Sequence, residues 1–208
     1  RKAAKEKRWG KMSRIFPKLG KAITMAAKEG GGDPAMNASL RTAIANAKGQ
    51  NMPKDNIDAA IKRATAKDAS DYSEINYEGK GPHGVLVFVE CATDNTTRSV
   101  ANVRMHFNKL DCSLVPNGQL EFMFSRKAVF EINRTDEMDP EEMELELIDA
   151  GLEEIIVDEG TIYIHGEFTQ FGNLGNAIEG MGIEVVKASL ERFPNQEVEF
   201  SDEQMIDI

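Results

Sequence analysis

Residues 128–193 follow an order of strand-like and helix-like segments that restricts the fold more than any other feature of the chain. The strand-like segments are rich in Val, Ile and Phe, and the helix-like segments have the usual start and stop residues. The predicted elements are a strand at 128–133, a helix begun by Asp139-Pro140 and ended by Gly151, a hairpin at 153–167 with its turn at 158–160, a helix at 171–182, and a strand at 183–193. The order strand–helix–strand–strand–helix–strand predicts a ferredoxin-like domain.

The first 70 residues have a helical pattern instead. Apolar side chains recur three and four positions apart in residues 12–28, and again in the segments 33–49 and 51–64. These three faces are small and apolar, so they predict a three-helix bundle with its polar residues outside. Pro17 is unusual inside a helix, and it predicts that the first helix either begins near Ser13 or kinks early.

Local start signals place the second and third helices of this bundle. Asp33 followed by Pro34 predicts the start of the second helix, because an acidic cap before a first-turn proline is a favourable combination. Asn51 is the predicted cap of the third helix, with Pro53 in its first turn.

The middle of the chain contains weaker signals. Residues 68–78, DASDYSEINYE, are polar and acidic and are predicted to form a linker. The Val-rich run 85–92 predicts a buried strand, and residues 119–125, QLEFMFS, predict another. A helix is expected after the first of these strands, capped by Asp94, Asn95 or Thr96.

The charge distribution is strongly asymmetric. The chain has a net charge of −10, yet residues 1–68 contain 16 Lys and Arg against 6 Asp and Glu, whereas residues 69–208 contain 9 against 29. A basic end on an acidic body predicts a polyanionic partner at that end, and nucleic acid fits best. The candidate phosphate contacts are Arg1, Lys2, Lys5, Lys7, Arg8, Lys11, Arg14, Lys18, Lys21, Lys48, Lys54, Lys62 and Arg63.

Enzymatic and metal-binding signatures have little support. The three histidines are isolated, and the only two cysteines, Cys91 and Cys112, fit free thiols in a reducing, cytoplasmic setting. No nucleophile elbow or phosphate-binding loop occurs, and no apolar run is long enough to span a membrane. We therefore expect no metal, no cofactor, no small-molecule substrate and no membrane partner.

One polar junction leaves two interpretations open. Asp94, Asn95, Thr97 and Arg98 lie where a strand passes into a helix, and their side chains could contact phosphate or a partner. The alternative is a capped helix start with a surface arginine.

Three long motifs resemble the YebC/PmpR family: KLGKAITMAAKEGGGDPAMNASLRTAIANAKGQNMPKDNIDAAIKRA at 18–64, YEGKGPHGVLVFVECATDN at 77–95 and PNGQLEFMF at 116–124. The resemblance implies an α+β fold with a basic helical bundle at 1–70, an α/β domain at 71–127 plus 194–208, and a ferredoxin-like domain inserted at 128–193. It also implies that residues beyond Ile208 complete the second domain. Many members open with a segment like GHSKWANIKHRK, which differs from this chain's RKAAKEKRWGKMSRIF.

The resemblance implies two classes of function. Family members are described as probable transcriptional regulators, which implies a DNA-binding regulator. Mitochondrial relatives are translational activators, which implies as the alternative a ribosome-associated factor that binds ribosomal or transfer RNA and relieves stalling. No helix with residues at base-reading spacing stands out, which favours recognition of backbone and shape over sequence readout. An enzyme with an interdomain cleft near Asp94 and Arg98 is the third hypothesis.

Overall fold

The computed structural model describes residues 2–66 and 71–208, with the side chains of residues 2–9 and 11 outside that description. The fold class is α+β, as predicted. The α-helices are α1 (Lys2–Gly30), α2 (Ala38–Gly49), α3 (Lys54–Ala64), α4 (Thr96–Lys109), α5 (Pro140–Leu147), α6 (Phe171–Gly180) and α7 (Asp202–Asp207). The strands are β1 (Ser73–Lys80), β2 (Leu86–Thr93), β3 (Ser113–Val115), β4 (Phe124–Asn133), β5 (Leu152–Asp158), β6 (Thr161–Glu167) and β7 (Val185–Pro194).

The chain divides into two compact units. One consists of Arg1–Ala69 with Arg126–Glu191, and the other of Ser70–Ser125 with Arg192–Ile208. The first unit contains the three-helix bundle and most of the predicted ferredoxin-like segment. The three domain boundaries expected from the sequence stay a prediction.

Helix α1 is longer than the sequence predicted. It runs without a break from Lys2 to Gly30 and includes Pro17, so a start near Ser13 is wrong. A proline inside a helix removes one backbone hydrogen bond, and the packing of the apolar face outweighs that loss. That face is well buried, because Ile23 is fully buried and Thr24 Oγ1 donates to the carbonyl of Ala60 in α3 over 2.9 Å.

Helices α2 and α3 both begin a few residues later in the chain than the sequence predicted. Asn37, not Asp33, caps α2: its Oδ1 accepts from Leu40 N, and its Nδ2 donates to the carbonyls of Ala26 and Gly31. Asp33 instead accepts from Ala35 N within a turn. Helix α3 begins after Pro53, while Asn51 adopts a left-handed backbone conformation with φ of 58°.

The four-stranded sheet has the predicted ferredoxin-like topology. Its order is β5-β6-β4-β7, and α5 and α6 connect the strands. Alternate residues of the central strands, including Phe130 and Ile162, face the helices and pack against Leu147, Leu174 and Ile178. Asp139 caps α5 and Gly151 ends the following 3-10 turn in a left-handed conformation, as expected from the sequence.

The second unit contains the three-stranded sheet β2-β1-β3. Its central strand β1 includes residues predicted to be a linker, so that prediction is wrong for residues 73–78. The segment is a strand because its backbone pairs with β2 along its whole length and with β3 at its end. The acidic Glu78 is tolerated at 2% exposure because its carboxylate accepts from the backbone N–H groups of Gly118 and Leu120 over 2.6 and 2.5 Å. The predicted strand at 119–125 begins only at Phe124, after a 3-10 turn at Glu121–Met123.

Candidate nucleic-acid interface

The basic side chains of the bundle lie outside its core. That core consists of small and branched apolar residues, among them Ile23, Leu40, Ala47, Ile57 and Ala60. Because these positions take up the inward faces, the charged residues lie on the exposed or partly exposed faces of the helices. Residues 12–66 contain nine Lys and Arg against four Asp and Glu, so the excess of positive charge is found at the surface.

Helix α3 carries three exposed members of the predicted set. Lys54, Lys62 and Arg63 are exposed, whereas Ile57 and Ala60 between them are buried. Lys62 and Arg63 occupy the last turn, where positive charge also stabilises the helix dipole. The three side chains therefore lie off the apolar stripe.

The other described candidates are distributed along α1 and α2. Arg14 and Lys18 are exposed on α1, Lys21 is half-buried, and Lys48 is exposed in the last turn of α2. Arg14 Nε donates to the carbonyl of Gly10, one turn earlier in α1, over 3.2 Å. Arg1 lies outside the described residues, as do the side chains of Lys2, Lys5, Lys7, Arg8 and Lys11.

A cleft within the first unit adds a basic residue that the sequence reasoning did not select. It has a volume of about 1020 Å³ and is lined by α2, α3, β7 and the end of α6. Its charged lining residues are basic and acidic in equal number: Arg41, Lys48 and Lys54 against Asp58, Glu179 and Glu184. Arg41 donates to the carbonyl of Pro34 over 3.0 Å, so it also holds the loop before α2.

The polar junction in the second unit is a capped helix start within that unit. Asn95 caps α4 by accepting from Arg98 N over 2.8 Å, and Arg98 forms an ion pair with Asp94. Thr93 Oγ1 accepts from Asn95 N and from the Ser99 hydroxyl. Of the four selected residues, three are therefore joined to one another, while Thr97 is exposed in the first turn.

The outer face of the four-stranded sheet holds an ionic cluster. Lys187 Nζ donates to Glu131 over 2.7 Å and to Glu191 over 3.0 Å, and Ser189 also donates to Glu191. Burial alone would lower the pKa of Lys187, but the two carboxylates outweigh it and the pKa is raised. Burial alone would raise the pKa of Glu191, but the bonds from Ser189 and Lys187 lower it.

The described residues offer little for other kinds of chemistry. Within residues 2–66 and 71–208, no three His, Cys, Asp or Glu side chains come together as a metal site would need. In that same part of the chain, none of the helices combines the length and the apolar character needed to cross a bilayer.

Comparison with known proteins covers the whole chain. Residues 1–67 match the TACO1/YebC protein N-terminal domain, and residues 72–208 match the TACO1/YebC second and third domain. A probable transcriptional regulatory protein of Wolinella succinogenes is 65% identical over 100% of this chain and 88% of its own length. One from Sulfurimonas denitrificans is 57% identical with the same coverage.

A solved structure resembles the fold. The crystal structure of a conserved hypothetical protein from Aquifex aeolicus has a TM-score of 0.78 and 32% sequence identity, and covers 94% of this chain and 81% of its own. Together with the two domain matches, these similarities establish that the chain belongs to the TACO1/YebC family.

Proposed function

We propose that the protein is a regulator of gene expression that binds nucleic acid through its N-terminal bundle. The observation that carries the proposal is the exposure of Lys and Arg side chains on all three helices of the bundle, in a segment, residues 12–66, that contains nine Lys and Arg against four Asp and Glu. Ionic contacts to phosphate give affinity without sequence readout and weaken steeply with salt. The relatives' printed names, probable transcriptional regulatory protein, support regulation of transcription, and we propose DNA as the target.

Charge reversal on α3 tests the proposal. In a triple variant, Lys54→Glu, Lys62→Glu and Arg63→Glu, binding to duplex DNA and to transfer RNA should weaken, because three phosphate contacts are replaced by repulsion. The slope of log K against log salt should flatten by up to about three units. Fluorescence anisotropy across a salt series measures both quantities.

The matched control is a second triple variant, which changes the net charge by the same amount but outside the bundle. Lys80, Arg104 and Lys109 are exposed basic residues of the second unit, and their reversal to Glu leaves the bundle intact. This control should retain most of the binding. Equal loss in both triple variants would show a net-charge effect and count against the bundle as the interface, as would unchanged binding in the folded α3 variant.

The target class needs a separate experiment in cells. The tagged full-length protein is crosslinked, purified under denaturing conditions, and its bound nucleic acid sequenced. Enrichment of discrete promoter DNA supports a transcriptional regulator located in the cytoplasm. Predominant ribosomal and transfer RNA supports the translational alternative, for which recognition by shape and backbone suffices.

A further inference from the structure

Asn117 and Gly118 lie at the tip of an exposed turn in the loop at residues 116–123, and they are the only Asn-Gly pair in the chain. Gln119 N donates to the carbonyl of Pro116 over 3.3 Å, which closes the turn. Gly118 has a φ of 89°, which a glycine adopts without strain. An Asn-Gly pair in water is chemically unstable, because the small glycine lets its own backbone nitrogen reach the side-chain carbonyl carbon of the asparagine.

The reaction of such a pair is an intramolecular substitution at the side-chain amide of Asn117. A base in the solvent takes the proton of Gly118 N, and this nitrogen attacks Cγ of Asn117. The bond between Cγ and Nδ2 breaks, and Nδ2 takes up a proton and leaves as ammonia. Water then opens the cyclic succinimide at either carbonyl, which gives aspartate or isoaspartate at position 117. Water and a base are the only other reactants.

Strand β1 holds both reacting groups of this pair. Gly118 N donates to Glu78 Oε1 over 2.6 Å, and Asn117 Nδ2 donates to the carbonyl of Asn76 over 2.9 Å. The other oxygen of the Glu78 carboxylate accepts from Leu120 N, and Glu78 is only 2% exposed. A buried carboxylate opposes the loss of the Gly118 proton, because the bond to the charged group is strong and the amide anion would face a negative charge.

We propose that Asn117 is a deamidation site that the Glu78 carboxylate keeps closed while the 116–123 loop is in place. The Gly118 nitrogen loses its proton only after its bond to Glu78 has opened, so the rate of the reaction follows the open fraction of the loop. The exposure of the turn therefore does not set the rate. The buried carboxylate behind the turn sets it.

Neither product of the reaction restores the original contacts. Aspartate at position 117 has no side-chain N–H group to donate to the carbonyl of Asn76. Isoaspartate adds a methylene group to the backbone, which displaces Gly118 N relative to Glu78. The conversion is therefore one-way, and each molecule that has reacted keeps a looser loop in the second unit.

Mass spectrometry of the tryptic peptide 110–126 tests the proposal, because Asn117 is the only asparagine in that peptide. The full chain is incubated at mildly alkaline pH, both folded and in concentrated urea. Folded wild type should deamidate at least about tenfold more slowly than the chain in urea. Glu78→Gln should raise the rate in the folded chain about tenfold. Glu74→Gln, the matched control at an exposed acid of the same strand, should keep the wild-type rate.

Hydrogen exchange of wild type gives a second readout that needs no variant. Exchange and deamidation both begin with loss of the Gly118 proton, so folding should slow deamidation by at least the protection factor of the Gly118 amide. A slowing well below that protection factor would overturn the proposal. Equal rates in folded and urea-unfolded wild type would overturn it as well, as would a wild-type rate in folded Glu78→Gln.

Discussion

Asn46 and Ala188 hydrogen-bond to each other twice. Asn46 Nδ2 donates to the carbonyl of Ala188 over 2.6 Å, and Ala188 N donates back to Asn46 Oδ1 over 2.8 Å. Ala188 lies on β7, an edge strand of the four-stranded sheet, so the amide takes the place of a neighbouring strand. A Cβ on Gly49 would lie 2.9 Å from the carbonyl oxygen of Val186. The end of α2 can approach β7 this closely only because residue 49 has no side chain.

Asn46→Ala should weaken the attachment of the bundle to the sheet. Two hydrogen bonds are lost and the backbone of the mostly buried Ala188 is left without them, so we expect a loss of roughly 1–3 kcal/mol in unfolding free energy. Urea denaturation measures this loss, and hydrogen exchange should show reduced protection of the Ala188 amide. Asn56→Ala, at an exposed position on α3, serves as control. Unchanged exchange at Ala188 would contradict the structural role of the amide.

Glu78→Gln should loosen the 116–123 loop. The carboxylate accepts two backbone N–H groups, and an amide offers an acceptor to only one of them while its NH₂ group faces the other. We expect a loss of roughly 1–3 kcal/mol, measured by urea denaturation. Glu74→Gln, an exposed acid of the same strand, should change stability little. An equal loss of unfolding free energy in both variants would mean that the lost negative charge, and not the two hydrogen bonds of Glu78, determines the stability.

Tyr77→Phe should leave the second unit as stable or make it more stable. Tyr77 is 5% exposed, and its hydroxyl has no hydrogen-bond partner among the described residues. Burial, with a contribution from Cys91, raises the pKa of this hydroxyl. Removing a buried polar group that makes no bond removes its desolvation penalty. A thermal unfolding midpoint that falls in the variant would reveal a partner of the hydroxyl in solution.

The ionic cluster on the sheet should make stability depend on pH. The folded pKa of Glu191 is below its ordinary value of 4.5, so its ionised form stabilises the folded state at neutral pH. That contribution is lost as the pH falls from 4.5 through the folded pKa. The stability difference between wild type and Glu191→Gln should therefore be largest near neutral pH and shrink in acid.

Urea denaturation at a series of pH values tests this expectation. Glu144→Gln removes one charge from an exposed position of α5 and controls for the change in net charge. A difference between wild type and Glu191→Gln that stays constant from neutral pH to acid would contradict the role assigned to Lys187 and Ser189.

Local chemistry was enough to predict the ferredoxin-like segment. Asp139, Pro140 and Gly151 mark a helix by their own backbone preferences, and the turn at Glu159 and Gly160 is equally local. The outward position of Lys54, Lys62 and Arg63 was also predictable, because apolar periodicity assigns the inner face. No distant contact was needed for either prediction.

The predictions failed where a distant partner decides the structure. Glu78 appeared typical of a solvated linker, yet its partners are 40 and 42 residues away along the chain. Asp33 and Asn37 are both good helix caps. The side chain of Asn37 accepts from Leu40 N and also donates to the carbonyl of Ala26, and an aspartate has no N–H group for the second bond. Asn46 carries no local signal at all, since the bonds that define its role join residues 142 positions apart.

Asn195 N donates a hydrogen bond to the carbonyl of Met123. Met123 is the residue before β4 and Asn195 is the residue after β7, so the bond joins the start of one strand to the end of the other. Residues paired in this way lie about 5 Å apart, a gap that a two-residue turn can span. The 71 residues from 124 to 194 therefore leave the second unit and return to it at a single point of its backbone. The path of the second unit is closed at that point by one backbone hydrogen bond, whatever the length of chain that lies between.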